Sequence, residues 1–243
     1  MTELTTFDTR ELGDIAQARA AICSFLNIPL ITLPDATFVE RMRNGDVNSL
    51  LEILDQSADA DVAMGASLMR SHIDNTRSED PLLLAETLGV DRTRLYRGVS
   101  PSYGPPPPYE TVWTRSHQGK GESVLPALVE LYIQMDLAPS AQANDRVDYV
   151  GVEMDFLCEL ALREAAAWQS NTPEVAMEIL QNQQDFIGQH LGEWVPFFVK
   201  EALQWVQTDF FRGHLLLLRG FVGSEEGNLK LLAKENQTRV QFN

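Results

Sequence analysis

From Val150 to Trp168 the apolar residues Val150, Met154, Leu157, Ala161, Ala165 and Trp168 return every three or four positions. That spacing places them on one stripe of an α-helix. The same period recurs along most of the 243 residues, and no convincing alternation of apolar and polar residues, the mark of a half-buried strand, interrupts it. The chain is therefore expected to be all-α, a bundle of about ten or more helices.

Local signals set the expected boundaries. The pattern Asp8-x-x-Glu11 is a capping box opening a helix with Leu12, Ile15, Ile22 and Leu26 on one face, ending near Asn27-Ile28-Pro29. Helices follow over Asp35 to Arg43, Asp46 to Gln56 and about Asp61 to Asp74, and Asp80-Pro81 starts another that ends near Gly89. From Gly98 to Gly121 the period fails, and Pro105 to Pro108 exclude a long helix. Helicity resumes with Leu125, Leu128, Val129, Tyr132 and Met135, then breaks at the small-residue run Pro139 to Asn144, a candidate hinge. The Val150 helix is expected to be capped by Asp145 or Asp148. Thr172-Pro173-Glu174 starts a further helix, Pro196 opens one bearing Phe198, Ala202 and Trp205, and a last one covers roughly Asp209 to Val222. The expected organisation is an N-terminal half over 1–137 containing the proline-rich loop 99–121, a C-terminal half over 145–222, and a polar tail over 223–243.

Several function classes are disfavoured. The most apolar stretch, Phe210 to Val222, is broken by Arg212, His214 and Arg219, so no membrane span is expected, and the first ten residues lack the basic-then-apolar order of a signal peptide. A cytoplasmic location is the expectation. The formal charge of −16 would repel nucleic acid and anionic membranes and favour a basic partner. Cys23 and Cys158 sit in helical apolar patterns and read as free thiols. His72, His117, His190 and His214 show no ligand spacing, so no metal is expected. Gly119-Lys-Gly-Glu-Ser123 lacks the upstream glycine and strand of a phosphate loop, and no Ser stands in GxSxG. No catalytic residues and no cofactor are assigned.

What remains points to binding. Between Asp145 and Glu164 six acidic residues face only Arg146 and Arg163. The paired carboxylates there read either as a solvated face or cap, or as an exposed acidic rim that docks arginines. His190, beside a helix end, reads more simply as a structural hydrogen bonder than as a proton carrier. Tyr103, Tyr109 and Trp113 flank the proline run, which is equally a stiff linker pinned by its rings and a peptide-binding surface.

These segments, in order from about Leu82 to Val222, resemble the TorD/DmsD/NarJ family of redox-enzyme maturation chaperones. Leu88-Gly-Val-Asp-Arg-Thr-Arg-Leu-Tyr-Arg-Gly98 is similar to the family segment ending in leucine, aromatic and glycine. Pro107-Pro-Tyr-Glu-Thr-Val-Trp113 resembles its proline-aromatic-serine-valine-aromatic loop, and His190-Leu-Gly-Glu-Trp194-Val-Pro196-Phe-Phe198, preceded by Phe186, its histidine-leucine, tryptophan, proline and phenylalanine signature. The acidic-proline-x-aspartate-histidine hallmark appears as Asp145-Arg-Val-Asp148-Tyr149, with Arg146 for the proline and Tyr149 for the histidine.

The resemblance implies a TorD-like bundle in two packed halves joined by a hinge, and a chaperone rather than an enzyme. It implies binding of the twin-arginine signal peptide of a molybdoenzyme catalytic subunit, holding it back until the cofactor is inserted. The implied contact residues are Tyr109, Trp113, Asp145, Asp148, Tyr149, Glu153, His190 and Trp194. A NarJ-like role on a non-exported subunit is the main alternative, with a structural subunit or a helical hydrolase behind it. A monomer or a domain-swapped dimer is expected, without stable membrane insertion.

Overall fold

Aspartate and asparagine side chains set the helix starts in the first part of the chain. In the computed structural model, which describes residues 8–98, 102–118, 121–138 and 146–240, helix α1 (Thr9–Ile31) opens on the Asp8/Glu11 capping box. Asp35, Asn44, Asp59 and Asp80 accept first-turn backbone N–H groups of α2 (Ala36–Met42), α3 (Gly45–Asp55), α4 (Ala60–Asn75) and α5 (Pro81–Tyr96). Next come α6 (Glu110–Gln118), α7 (Gly121–Gln134), α8 (Val150–Gln169) and α9 (Pro173–Phe186). A π turn (Ile187–Leu191) joins α9 to α10 (Gly192–Ala202), and α11 (Asp209–Val240) ends the described chain. Among the described residues there is no strand, only one isolated bridge between Tyr109 and Tyr149. The bundle is all-α.

Two long helix pairs organise the core. α1 lies along α8, and α4 along α11, while α9 covers α8 and α11. The α4/α11 pair is held very close by glycines: a Cβ on Gly213 would come 2.5 Å from the Gly65 carbonyl oxygen, so the two backbones touch. Trp194, Tyr96, Tyr149, Phe186, Phe198, Phe210 and Phe211 are fully buried. No helix among the described residues is long and apolar enough to cross a membrane.

The elements depart from the sequence expectation where distant partners intervene. α1 runs through Pro29 to Ile31 because its last carbonyls are taken by other helices. Arg92 Nε donates to Pro29 O at 2.9 Å and a second Arg92 nitrogen donates to Leu30 O, which Tyr149 Oη also reaches at 2.7 Å. α5 passes Gly89 and ends at Tyr96, burying Asp91, Arg92, Leu95 and Tyr96. α6 forms inside the region expected to be irregular, starting two residues after the last proline of the run. Pro196 stands within α10 rather than opening it. The expected polar tail is helical: α11 continues to Val240, because Leu229 and Ala233 enter the core and Glu225 pairs with Arg19. Leu229 alone contributes roughly 2 kcal/mol of burial toward holding this segment. The expected hinge, Pro139 to Asn144, lies outside the described residues.

Candidate functional site

The proline run ends by zipping onto the start of α8. Glu110 N donates to Asp148 O at 2.9 Å and Val150 N to Pro108 O at 3.0 Å, fixing the bridge between Tyr109 and Tyr149. The loop is also pressed onto α5, since a Cβ on Gly104 would lie 2.3 Å from the Arg94 carbonyl oxygen. Trp113 Nε1 donates to Pro107 O at 3.1 Å and its ring meets Phe198 edge-on at 5.7 Å. The aromatics therefore pin the loop, and Trp113 is buried.

This zipper brings the first turns of α6 and α8 together. Asp148 was expected to cap α8, but Tyr149 holds that position without a side-chain bond. Asp148 Oδ2 instead accepts from Thr111 Oγ1 at 2.6 Å and Thr111 N at 3.3 Å, so it caps the neighbouring helix α6. Glu110 on α6 meets His190 Nδ1 of the π turn at 2.9 Å, and Glu153 Oε2 on α8 accepts from Trp194 Nε1 of α10 at 3.2 Å. Glu153 is fully buried, and its Oε1 has no hydrogen-bond partner among the described residues. Burial first, then the nearby Glu110 and Asp148 carboxylates, pushes the Glu153 carboxyl well above the usual range.

Of the residues singled out from sequence, Tyr109, Trp113, Asp148, Tyr149, Glu153, His190 and Trp194 thus converge at one junction of α6, α8, the π turn and α10, whereas Asp145 lies outside the described residues. An exposed acidic rim is not what the junction presents. Asp148 and Glu153 are 0% exposed, and Glu164 is buried in a separate cluster with Arg19, Gln183 and Trp168. Glu153 and Glu164 of α8 face inward because each meets a donor from another helix, Trp194 and Arg19 respectively, whereas Glu159 stays half exposed and pairs with Arg163 of its own helix.

Sequence reasoning gave no role to Glu110 and Thr111, which stood in the supposed loop, and took Arg146 as a departure from a pattern and as one of two cations in an acidic run. Arg146 Nε and a second nitrogen each donate to an Asp148 carboxylate oxygen at 2.9 Å, and that second nitrogen also reaches Thr111 Oγ1 at 3.0 Å. Its guanidinium carbon stands 5.2 Å from the Tyr109 ring centre. At the surface end of the junction there is thus a cradle shaped for one guanidinium.

The other end of the proline-rich loop borders an apolar groove. Leu33, Leu82, Val90 and Tyr103 line about 730 Å³ there, each at least 60% exposed. Asp35 and Glu86 are the exposed charged residues of its lining. Tyr103 and Tyr109 are six residues apart, so groove and cradle are separated by no more than about 22 Å of chain. No group of three or more His, Cys, Asp or Glu among the described residues could hold a metal ion. Cys23 and Cys158 are free, and burial raises both thiols, Cys158 to about 11, which keeps them from acting as thiolates.

Comparison with known proteins adds to this geometry. The family model described as nitrate reductase delta subunit matches residues 55–200, more than half of the chain and the whole of the junction. The chaperone protein TorD of Vibrio cholerae serotype O1, classical Ogawa strain, is 27% identical over 128 residues, 53% of this chain and 56% of the relative. TorD of the M66-2 strain is 29% identical over 92 residues, 38% of this chain and 40% of the relative. The matches thus span about half the length of these curated relatives or less. No solved structure matches the chain.

Proposed function

The chain belongs to the nitrate reductase delta subunit family, and from that premise we propose that it is a cytoplasmic, non-catalytic chaperone for a molybdopterin-containing oxidoreductase. In this reading it binds the twin-arginine signal peptide of the catalytic subunit and delays export until the cofactor is inserted. The observation that carries the reading is the pairing of a guanidinium cradle at Asp148 and Tyr109 with an apolar groove at Tyr103, at opposite ends of one stiff loop. A twin-arginine peptide offers arginines followed by an apolar segment, and the formal charge of −16 draws such a ligand in. The buried partners, Glu110 with His190 and Glu153 with Trp194, hold the first turns of α6 and α8 in register beneath the cradle. Tyr149 and Trp113 act there as supports.

Calorimetric titration with twin-arginine signal peptides of molybdoenzymes tests this. Saturable binding is expected, weaker at higher salt, and weakened by Asp148→Asn and by Val90→Asp, the second of which alters only an exposed groove residue. Unchanged affinity in both variants would remove the site from this surface.

A second reading draws on the family description itself. A nitrate reductase type of assembly chaperone grips a catalytic subunit that is not exported, and the groove then takes a segment of the mature subunit. Binding to the subunit without its leader, and to no signal peptide, would select it. In either role the protein acts as a monomer or as a domain-swapped dimer.

A further inference from the structure

The pair Arg146 and Asp148 is lopsided. The carboxylate is 0% exposed, whereas the Arg146 side chain is 54% exposed. Two residues apart in sequence, they nevertheless form a two-pronged contact, with Thr111 Oγ1 as a third acceptor and the Tyr109 ring alongside. A planar guanidinium suits such a set, since its rigid fork meets both carboxylate oxygens and the Thr111 hydroxyl at once, whereas an ammonium is a compact point charge without that fixed geometry. If Arg146 leaves, the Thr111 amide and hydroxyl still donate to Asp148 Oδ2, while Oδ1, which among the described residues only Arg146 meets, is left open to a new donor. The cradle thus keeps one oxygen held and offers the other, and its half-exposed occupant reaches it from the solvent side.

We propose that the Asp148–Thr111–Tyr109 cradle is a binding site for an arginine side chain supplied in trans, and that Arg146 is a tethered resident displaced when that arginine enters. The identity of the incoming arginine, as part of a signal peptide, rests on the function proposed above; the exchange itself does not. A tethered competitor present at millimolar effective concentration raises the affinity a ligand needs. Isolated surface arginines are rejected, and a ligand that also fills the apolar groove is accepted.

The test replaces the resident. Arg146→Ala is expected to melt below the wild-type protein and to recover with millimolar N-ethylguanidinium in a saturable way, with shifts in the Thr111 amide resonance. Ethylammonium of equal charge should not restore it, the wild-type protein should not respond, and Arg146→Ala combined with Asp148→Asn should not respond either. Arg10→Ala, an exposed arginine elsewhere, controls for the lost charge. A twin-arginine peptide is expected to bind Arg146→Ala about tenfold more tightly than wild type, because the competing state is removed. Peptide binding equal in both, with no recovery by N-ethylguanidinium, overturns the exchange and leaves the chaperone reading standing. Recovery by N-ethylguanidinium with no peptide bound by either protein supports the cradle and overturns the signal peptide as its ligand.

Discussion

Arg19 on α1 and Glu164 on α8 meet at 2.6 Å, the arginine 4% and the glutamate 2% exposed. Glu225 of α11 shares the same guanidinium, Trp168 Nε1 donates to Glu164 at 3.0 Å, and Gln183 Nε2 donates to it at 2.6 Å. Removing the cation leaves two buried carboxylates uncompensated. Arg19→Leu should cost about 3–5 kcal/mol, read as a lower urea midpoint at an unchanged m-value; a loss under 1 kcal/mol would mean the cluster is wet.

The glycine contact between α4 and α11 predicts opposite signs for two alanines on one helix. Gly213→Ala forces a methyl against the Gly65 carbonyl and the Met69 nitrogen, 2.5 and 2.9 Å from its Cβ, and should cost about 1–3 kcal/mol or more. Gly223→Ala meets nothing within 4 Å and should gain about 0.5–1 kcal/mol from helix propensity. Paired thermal melts decide it.

His214 is fully buried, its Nε2–H donating to Leu26 O and its Nδ1 accepting from Tyr96 Oη, both at 2.8 Å. Burial lowers its pKa to about 4. The folded value lies below the unfolded one near 6.5, so the neutral ring stabilises the fold above that pH and the benefit is lost as pH falls toward 4. The loss is on the order of 3 kcal/mol over that interval. His214→Gln should flatten the slope between pH 6.5 and 4 while lowering stability at neutral pH.

Glu153 predicts the reverse dependence. Its carboxyl is raised, so its contribution is complete below the unfolded value near 4.3 and is lost as pH rises through the folded one. Glu153→Gln keeps an acceptor for Trp194 without the charge. It should melt higher than wild type at pH 8, with the difference shrinking toward pH 5; an equal difference at both would show that no proton is involved.

How much of this was legible in the sequence depends on the distance over which each determinant acts. The Asp8/Glu11 box and the Asp35 and Asp80 caps act within one turn, and the helix starts they set were readable. The ends of α1 and α5 were not, because Pro29 and Gly89 are overridden by bonds from Arg92 and Tyr149 and by burial after Asp91. Most residues of the junction were singled out from motif positions, and the structure brings them together, but in a buried setting rather than on an exposed acidic rim. Asp148 caps a helix 37 positions away in sequence, through Thr111, and Asp91 does the same for the start of α11 through Thr208. Periodicity within a segment carries no record of such partners, and a dense acidic run looks alike whether its donors are water or another helix.

The Arg19–Glu225 bond spans 206 positions, and this has a consequence for synthesis. At about 5–20 residues per second, a ribosome takes roughly 10–40 s to travel from one partner to the other. During that interval α1 has emerged while α11 has not been made, and until α8 is complete α1 lacks the main surface it packs on. Each nascent copy therefore passes through a window in which its oldest helix is open to holdases and proteases. The mature architecture is available only once translation has reached the last turns of α11.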